Sequence, residues 1–198
     1  MKKFSFILLI STLLLACSKD EMDRTIFIPD ETDGNLPAYT EWGYNSFGAE
    51  YEREYFLATN NIVPCKIVYK EDKLQFSLSG RVRSDYYYGK EMTLIFIFPV
   101  SEACKNYQDL MQLDKVKIDL SSDNCTVKMV QDDQETTLDG VSGKLYFKRA
   151  QLLSIDDEVN RVILSGTFEL YFLKNSIPSY MEDGRFDLGI TKKVFYSF

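Results

Sequence analysis

Histidine is missing from all 198 residues. Its absence removes the commonest general base, the commonest zinc ligand and the one side chain that changes charge near neutral pH without perturbation. Serine-histidine triads, histidine-bound zinc hydrolases and two-histidine iron centres are excluded with it, and a cysteine nucleophile has no imidazole to activate it. Basic charge is also short. Lys and Arg number 23 against 30 Asp and Glu, a net charge of -7, and no dense basic block offsets it, so a nucleic-acid partner is excluded. The one long apolar run, residues 4–15, is shorter than the roughly 20 residues a membrane helix needs, and no fixed-period repeat points to a solenoid or propeller. What is present is apolar and aromatic material, 45% and 14% of the chain, enough for one folded domain rather than a disordered chain.

The first twenty residues carry an address. Lys2 and Lys3 precede the apolar run, which ends in Leu14-Leu15-Ala16-Cys17 and then turns polar at Ser18-Lys19-Asp20-Glu21. This resembles the lipobox of bacterial lipoproteins, although Leu15 is bulkier than the residue usual there. The resemblance implies a signal peptide at residues 1–16 and a Cys17 thiol that carries diacylglycerol and palmitate-type acyl chains, several of which on one residue hold a protein durably to a membrane. The following acidic stretch, Ser18 to Asp23, is similar to the export signal of Bacteroidetes surface lipoproteins, which implies the outer face of the outer membrane. Residues 17–37 then read as an acidic tether rich in Asp, Glu, Pro and Gly. Within it Ile26-Phe27-Ile28 is an edge-strand candidate that Pro29 ends, and the folded domain is expected over residues 38–198.

In that domain the dominant period is two. Leu74, Phe76 and Leu78 alternate with Lys73, Gln75 and Ser77, and Val116, Ile118 and Leu120 with Lys115, Lys117 and Asp119, as in half-buried strands. The longest run places Val162, Leu164, Gly166, Phe168, Leu170 and Phe172 on one face. Gly166 inside it predicts a bulge or a bulky neighbour packed over it. Residues 92–100 are apolar without alternation, predicting a strand covered on both faces. Further strands are expected over 51–57, 62–69, 125–131, 143–148, 185–190 and 193–198. Asp183-Gly184 reads as a turn, after which Phe186 and Leu188 point inward and Arg185 and Asp187 outward. Ala103, Tyr107, Leu110 and Met111 fall at helical offsets behind a capping Ser101, predicting one short helix or helical crossover. The expected fold is all-β: an antiparallel β-sandwich of about ten strands with one short helix. The end of the chain, Val194, Tyr196 and Phe198, resembles the closing strand of outer-membrane barrels, but the charged outward residues Lys66, Lys70, Lys115, Lys117 and Glu169 do not suit a lipid-facing wall.

The run Val162 to Leu170, followed by Asp183-Gly184-Arg185-Phe186-Asp187-Leu188, resembles the C-terminal strands of small Bacteroidetes lipoproteins of unknown function. That resemblance implies a β-sandwich on a lipid anchor and brings no activity with it. With Cys17 lipidated, Cys65, Cys104 and Cys125 remain, and either a Cys104–Cys125 disulfide or three free thiols fits the sequence. The acidic clusters Asp132-Asp133-Gln134-Glu135, Asp156-Asp157-Glu158 and Glu182-Asp183 lack calcium-loop spacing and read as turns between strands. The aromatics offer contact surface. Alternation cannot bury all of Tyr86, Tyr87 and Tyr88, so at least one is expected to face solvent or a ligand. Trp42, Tyr44 and Phe47 read as core. No catalytic residue, metal or cofactor is expected. The leading expectation is a non-catalytic binding or scaffold module with a glycan or protein partner, one alternative is a glycan-binding accessory lipoprotein of a polysaccharide uptake system, and a second is a carboxylate-based hydrolase.

Overall fold

A computed structural model describes residues 24–83, 89–155 and 158–198; Cys17 and the Tyr86-Tyr87-Tyr88 cluster lie outside them. The fold is all-β, with twelve strands in one sheet. They are β1 (Ser46–Tyr51), β2 (Glu54–Leu57), β3 (Cys65–Lys70), β4 (Lys73–Arg83), β5 (Glu91–Pro99), β6 (Lys117–Asp119), β7 (Thr126–Gln131), β8 (Gln134–Thr137), β9 (Asp139–Ile155), β10 (Glu158–Lys174), β11 (Ile177–Ile190) and β12 (Phe195–Ser197). The main path runs β6-β9-β10-β11-β1-β2-β4-β5-β7-β8, with β3 on β4 and β12 on β3.

Period-two sequence builds the inner face. Leu74, Phe76 and Leu78 of β4 pair across the ladder with Phe98, Phe96 and Leu94 of β5. All six are buried. On the other arm Phe147 of β9, Phe168 of β10 and Phe186 of β11 are equally buried. The two arms meet through rings: Phe76 lies 5.3 Å from Phe147 and 5.2 Å from Phe186, Phe96 lies 5.6 Å from Phe168, and Phe98 lies 5.8 Å from Phe147. A sheet whose ends face each other across one core is sandwich-like, and such aromatic pairs add about 0.5–1.5 kcal/mol each beyond the burial of their area. At Gly166 both sequence-level reasons hold. The β9–β10 register shifts there, and an added Cβ would meet the Tyr146 carbonyl oxygen and the Phe186 ring.

Several expectations are corrected. One pair departs from the antiparallel pattern, since β12 pairs with β3 in parallel, Phe195 opposite Ile67. Residues 51–57 hold the last residue of β1 and the whole of β2, because Glu52 turns the chain at positive φ. β5 alternates: Met92, Leu94, Phe96 and Phe98 are buried while Thr93, Ile95 and Ile97 are only half-buried. Asp183-Gly184 is no turn. It lies inside β11 as a bulge, with Asp183 at φ +50° and register shifts against both β1 and β10. The helix is a 3-10 turn, Tyr107–Leu113, capped by Asn106 rather than Ser101; the Asn106 side chain accepts from the Gln108 N–H at 2.9 Å and Asp109 reaches back to the Asn106 N–H at 3.0 Å. Ser101 instead hydrogen-bonds Gln112. No helix among the described residues is long and apolar enough to cross a membrane.

The segment read as tether is docked from Ile26 onward. Ile26 N–H donates to the Tyr44 carbonyl at 2.8 Å, Ala38 N–H to that of Ile28 at 2.7 Å, and Pro29 bridges Pro37. Leu36 is only 1% exposed. Asp30 meets Arg185 of β11 at 2.7 Å. This strap continues through Thr40–Tyr44 over the outer face of β10 and β11 and so covers Asp187, which sequence alternation had placed in solvent.

Candidate functional site

A cleft opens where β4 changes partner. Lys73–Leu78 pair with β3, whereas Arg81–Arg83 pair with β2. At the fork, a Cβ on Gly80 would collide with the Leu57 carbonyl and the Phe47 ring, so glycine is what lets β2 come close enough to take over the edge. Ala58 to Pro64 leaves the sheet there and is pinned at both ends, by Ala58 N–H to Phe47 carbonyl and by Ser79 N–H to Pro64 carbonyl, each at 3.0 Å.

Between this loop and the end of β11 lies a space of about 670 Å³, within the usual range of roughly 300–1,000 Å³ for small-molecule sites. Its floor holds Ser79 and Thr93, whose hydroxyls meet at 2.8 Å. Asn60 and Asn61 stand on one wall and Thr191 on the other. Asn45 accepts the Gly189 N–H at 2.9 Å. Ile62, Val63 and Val194 supply apolar wall. At the rim, Tyr196 is held by its hydroxyl, which donates to the Lys193 carbonyl at 3.1 Å, and Lys66 Nζ sits 5.0 Å over its ring. Among the described residues that line it, none is Asp or Glu. Cys65 is at the base, and burial pushes its thiol well above the ordinary range, which makes it a packed sulfur rather than a nucleophile.

Of the two arrangements that fit the sequence, the structure has the three free thiols, Cys65, Cys104 and Cys125. Cys104 is packed beside the 3-10 helix, where Gln112 Nε2 donates to its sulfur at 3.1 Å. Burial, aided by Asp109, raises that thiol to about 11. Cys125 is half-buried at the start of β7 and shifts upward for the same first reason. The acidic clusters divide. Asp132 and Asp133 form the β7–β8 turn at φ +52° and +60°, while Glu182 and Asp183 lie within β11, where Glu182 accepts the Tyr171 hydroxyl at 2.8 Å. Asp156 and Asp157 lie outside the described residues. No group of three His, Cys, Asp or Glu among the described residues is placed to share a metal ion.

The aromatic group at the domain entrance splits as well. Phe47 is core at 1% exposure, but Trp42 is 70% exposed. The reason is Asp187. Its buried carboxylate accepts Thr40 Oγ1 at 2.5 Å, the backbone N–H groups of Trp42, Gly43 and Tyr44 at 3.0, 2.7 and 3.3 Å, and Ser165 Oγ at 2.9 Å. Winding the backbone around the carboxylate leaves the indole outside. A second, smaller groove of about 350 Å³ contains Asp119 and Glu169 beside Lys117 and Lys144. Asp119 accepts from both the hydroxyl and the N–H of Ser121, which lowers its pKa, opposite to what a general acid needs.

Sequence reasoning missed the cleft. Its residues come from the strap, the 58–64 loop, β3, β4, β5, the end of β11, the β11–β12 connection and β12, and no local pattern joins them. The only usable signal was Ser79-Gly80 within a strand, since an interior glycine marks close backbone approach. No protein-family model, curated protein or solved structure matches the chain, so the functional reading rests on the chemistry of this cleft.

Proposed function

We propose that the chain is a lipid-anchored binding module without chemistry of its own, attached to the outer membrane through Cys17 and displayed at the cell surface. The anchor reading is supported by Leu14-Leu15-Ala16-Cys17 and the acidic stretch behind it. The binding reading is carried by one observation, a cleft lined by hydroxyls, amides and a fixed tyrosine ring, with no carboxylate among its described residues. Hydroxyl and amide groups exchange hydrogen bonds with a polyhydroxylated ligand, and a tyrosine gives an apolar face with a polar edge. A glycan therefore suits the cleft better than an apolar peptide. A glycosidase needs two carboxyl groups flanking one bond, and the described residues of this cleft supply neither. Tyr86, Tyr87 and Tyr88 are further candidate contacts.

A glycan array probed with the full chain and with Tyr196→Ala tests the binding reading. The expected result is retained glycans whose signal falls at least tenfold in the variant, with no cleavage product. Equal retention by both proteins, or release of a shortened glycan, overturns it. For the anchor, Cys17→Ser is expected to leave the detergent phase of a phase-partition assay, and parent-like partitioning refutes lipidation.

A further inference from the structure

We infer that the cleft selects an acidic saccharide, one whose ring hydroxyls meet the asparagines and the floor hydroxyls and whose carboxylate or sulfate meets Lys66 beside Tyr196. This rests on the binding-module reading and adds the charge of the ligand to it. Acidic residues outnumber basic ones in the chain 30 to 23, yet the described residues lining the cleft include Lys66 and neither Asp nor Glu. A concave, low-dielectric wall strengthens the attraction of such a cation for an anionic ligand.

Lys66 is placed to use it. It projects from β3, where Cys65 and Ile67 on either side are buried and hold the backbone. Its ammonium lies over the Tyr196 ring at 5.0 Å and makes no ion pair with any described residue. Stacking on a ring orients an ammonium without using its three donor hydrogens. The ring is itself fixed, since Tyr196 donates to the Lys193 carbonyl at 3.1 Å and the Lys193 N–H meets Thr191 Oγ1 at 3.3 Å. The parallel pairing of β12 with β3 sets Tyr196 opposite Val68, so the cation and the ring are positioned by the same two strands. A ligand stacked along this rim would offer its anionic group to Lys66 and its hydroxyls to Asn60, Asn61, Ser79 and Thr93. A neutral sugar would satisfy only the second set.

The full chain in detergent, titrated calorimetrically with tetragalacturonate, with κ-carrageenan tetrasaccharide and with maltotetraose, tests the inference. The first carries carboxylates, the second sulfates and the third neither. At least one acidic tetramer is expected to bind tenfold or more tighter than maltotetraose, and which one does so distinguishes carboxylate from sulfate. Lys66→Ala is expected to remove at least fivefold of that advantage without changing the melting temperature, and Lys66→Arg to keep most of it. Equal binding of maltotetraose and the acidic sugars overturns the charge selection while leaving the binding module intact. Selective binding that survives Lys66→Ala and Tyr196→Ala unchanged shows that the anion is read elsewhere and overturns the assignment to this cleft. No binding of any of the three overturns the inference, and the array result then stands alone for the module.

Discussion

Asp187 does at the scale of one residue what a disulfide does in many exported domains: it ties a distant segment to the sheet. Five donors, four of them from Thr40–Tyr44, converge on a carboxylate that is only 1% exposed. Removing the acceptor leaves buried donors unmatched, and charged hydrogen bonds are worth about 1.5–3 kcal/mol each before non-additivity. Asp187→Ala is expected to cost at least about 3 kcal/mol by chemical denaturation and to expose 38–44 to limited proteolysis. Asp187→Asn is expected to fare little better, because its amide turns two donors toward donors. Asp30 makes a second, pH-dependent tie. Hydrogen bonds from the Thr32 hydroxyl and from the Thr32 and Asp33 N–H groups, with the charge of Arg185, hold its carboxyl down at about 2 against an ordinary 3.8. A carboxyl depressed in the folded state stabilises fully above its unfolded value and loses that contribution as pH falls through the folded one. Stability is therefore expected to decline between about pH 4 and pH 2, and the Asp30→Asn variant should lack this part of the decline in acid titrations followed by circular dichroism.

Among the elements, the two-residue hairpins carry a correctable strain. Glu71-Asp72, Asp132-Asp133 and Asn175-Ser176 all have both residues at positive φ, the type I′ geometry that matches strand twist and favours Asn-Gly. Ser176 sits at φ +64° and is exposed. Ser176→Gly converts that turn to Asn-Gly and is expected to raise stability by about 0.5–1 kcal/mol, with a melting shift of about 1–4 °C; an unchanged or lower melting temperature contradicts it. The same scale shows what sequence reveals. Strands β4 and β10 were readable because buried residues recur at every second position, from Leu74 to Val82 in the one and from Val162 to Phe172 in the other. Strand β8 was not, since all four of its residues are exposed and no apolar face alternates. Asp183-Gly184 carries a turn dipeptide yet forms a bulge, because two neighbouring strands already pair on either side of it. The cleft was the least readable part. It exists only because Gly80 lets β2 take over from β3 and because β12 returns in parallel to β3, and both are long-range pairings that no window of local sequence contains.

For the whole molecule, the decisive contact is between the two arms of the sheet, and Phe147 sits at its centre. Its ring touches Phe76 and Phe98 of the β4–β5 arm at 5.3 and 5.8 Å, and Phe186 of its own arm at 5.6 Å. Neither arm buries its inner face alone. The chain also closes on itself, because β1 pairs with β11, Ser46 opposite Asp187, so the first strand has β2 on one side but lacks its other neighbour until almost the last has formed. Such non-local pairing predicts one cooperative unit that folds slowly, on the order of milliseconds to seconds. Phe147→Ala removes three ring contacts and opens a cavity in a fully buried site, an expected loss of about 3–5 kcal/mol. That is a large share of the roughly 5–15 kcal/mol a domain of this kind holds, and it corresponds to a melting temperature lower by about 6–20 °C. Because the arms share this core, far-ultraviolet and near-ultraviolet circular dichroism should still report a single coincident transition in parent and variant. Two separated transitions, or a variant that loses near-ultraviolet signal while its strands melt where the parent's do, would mean that the arms are independently stable and that the aromatic seam does not hold the fold together.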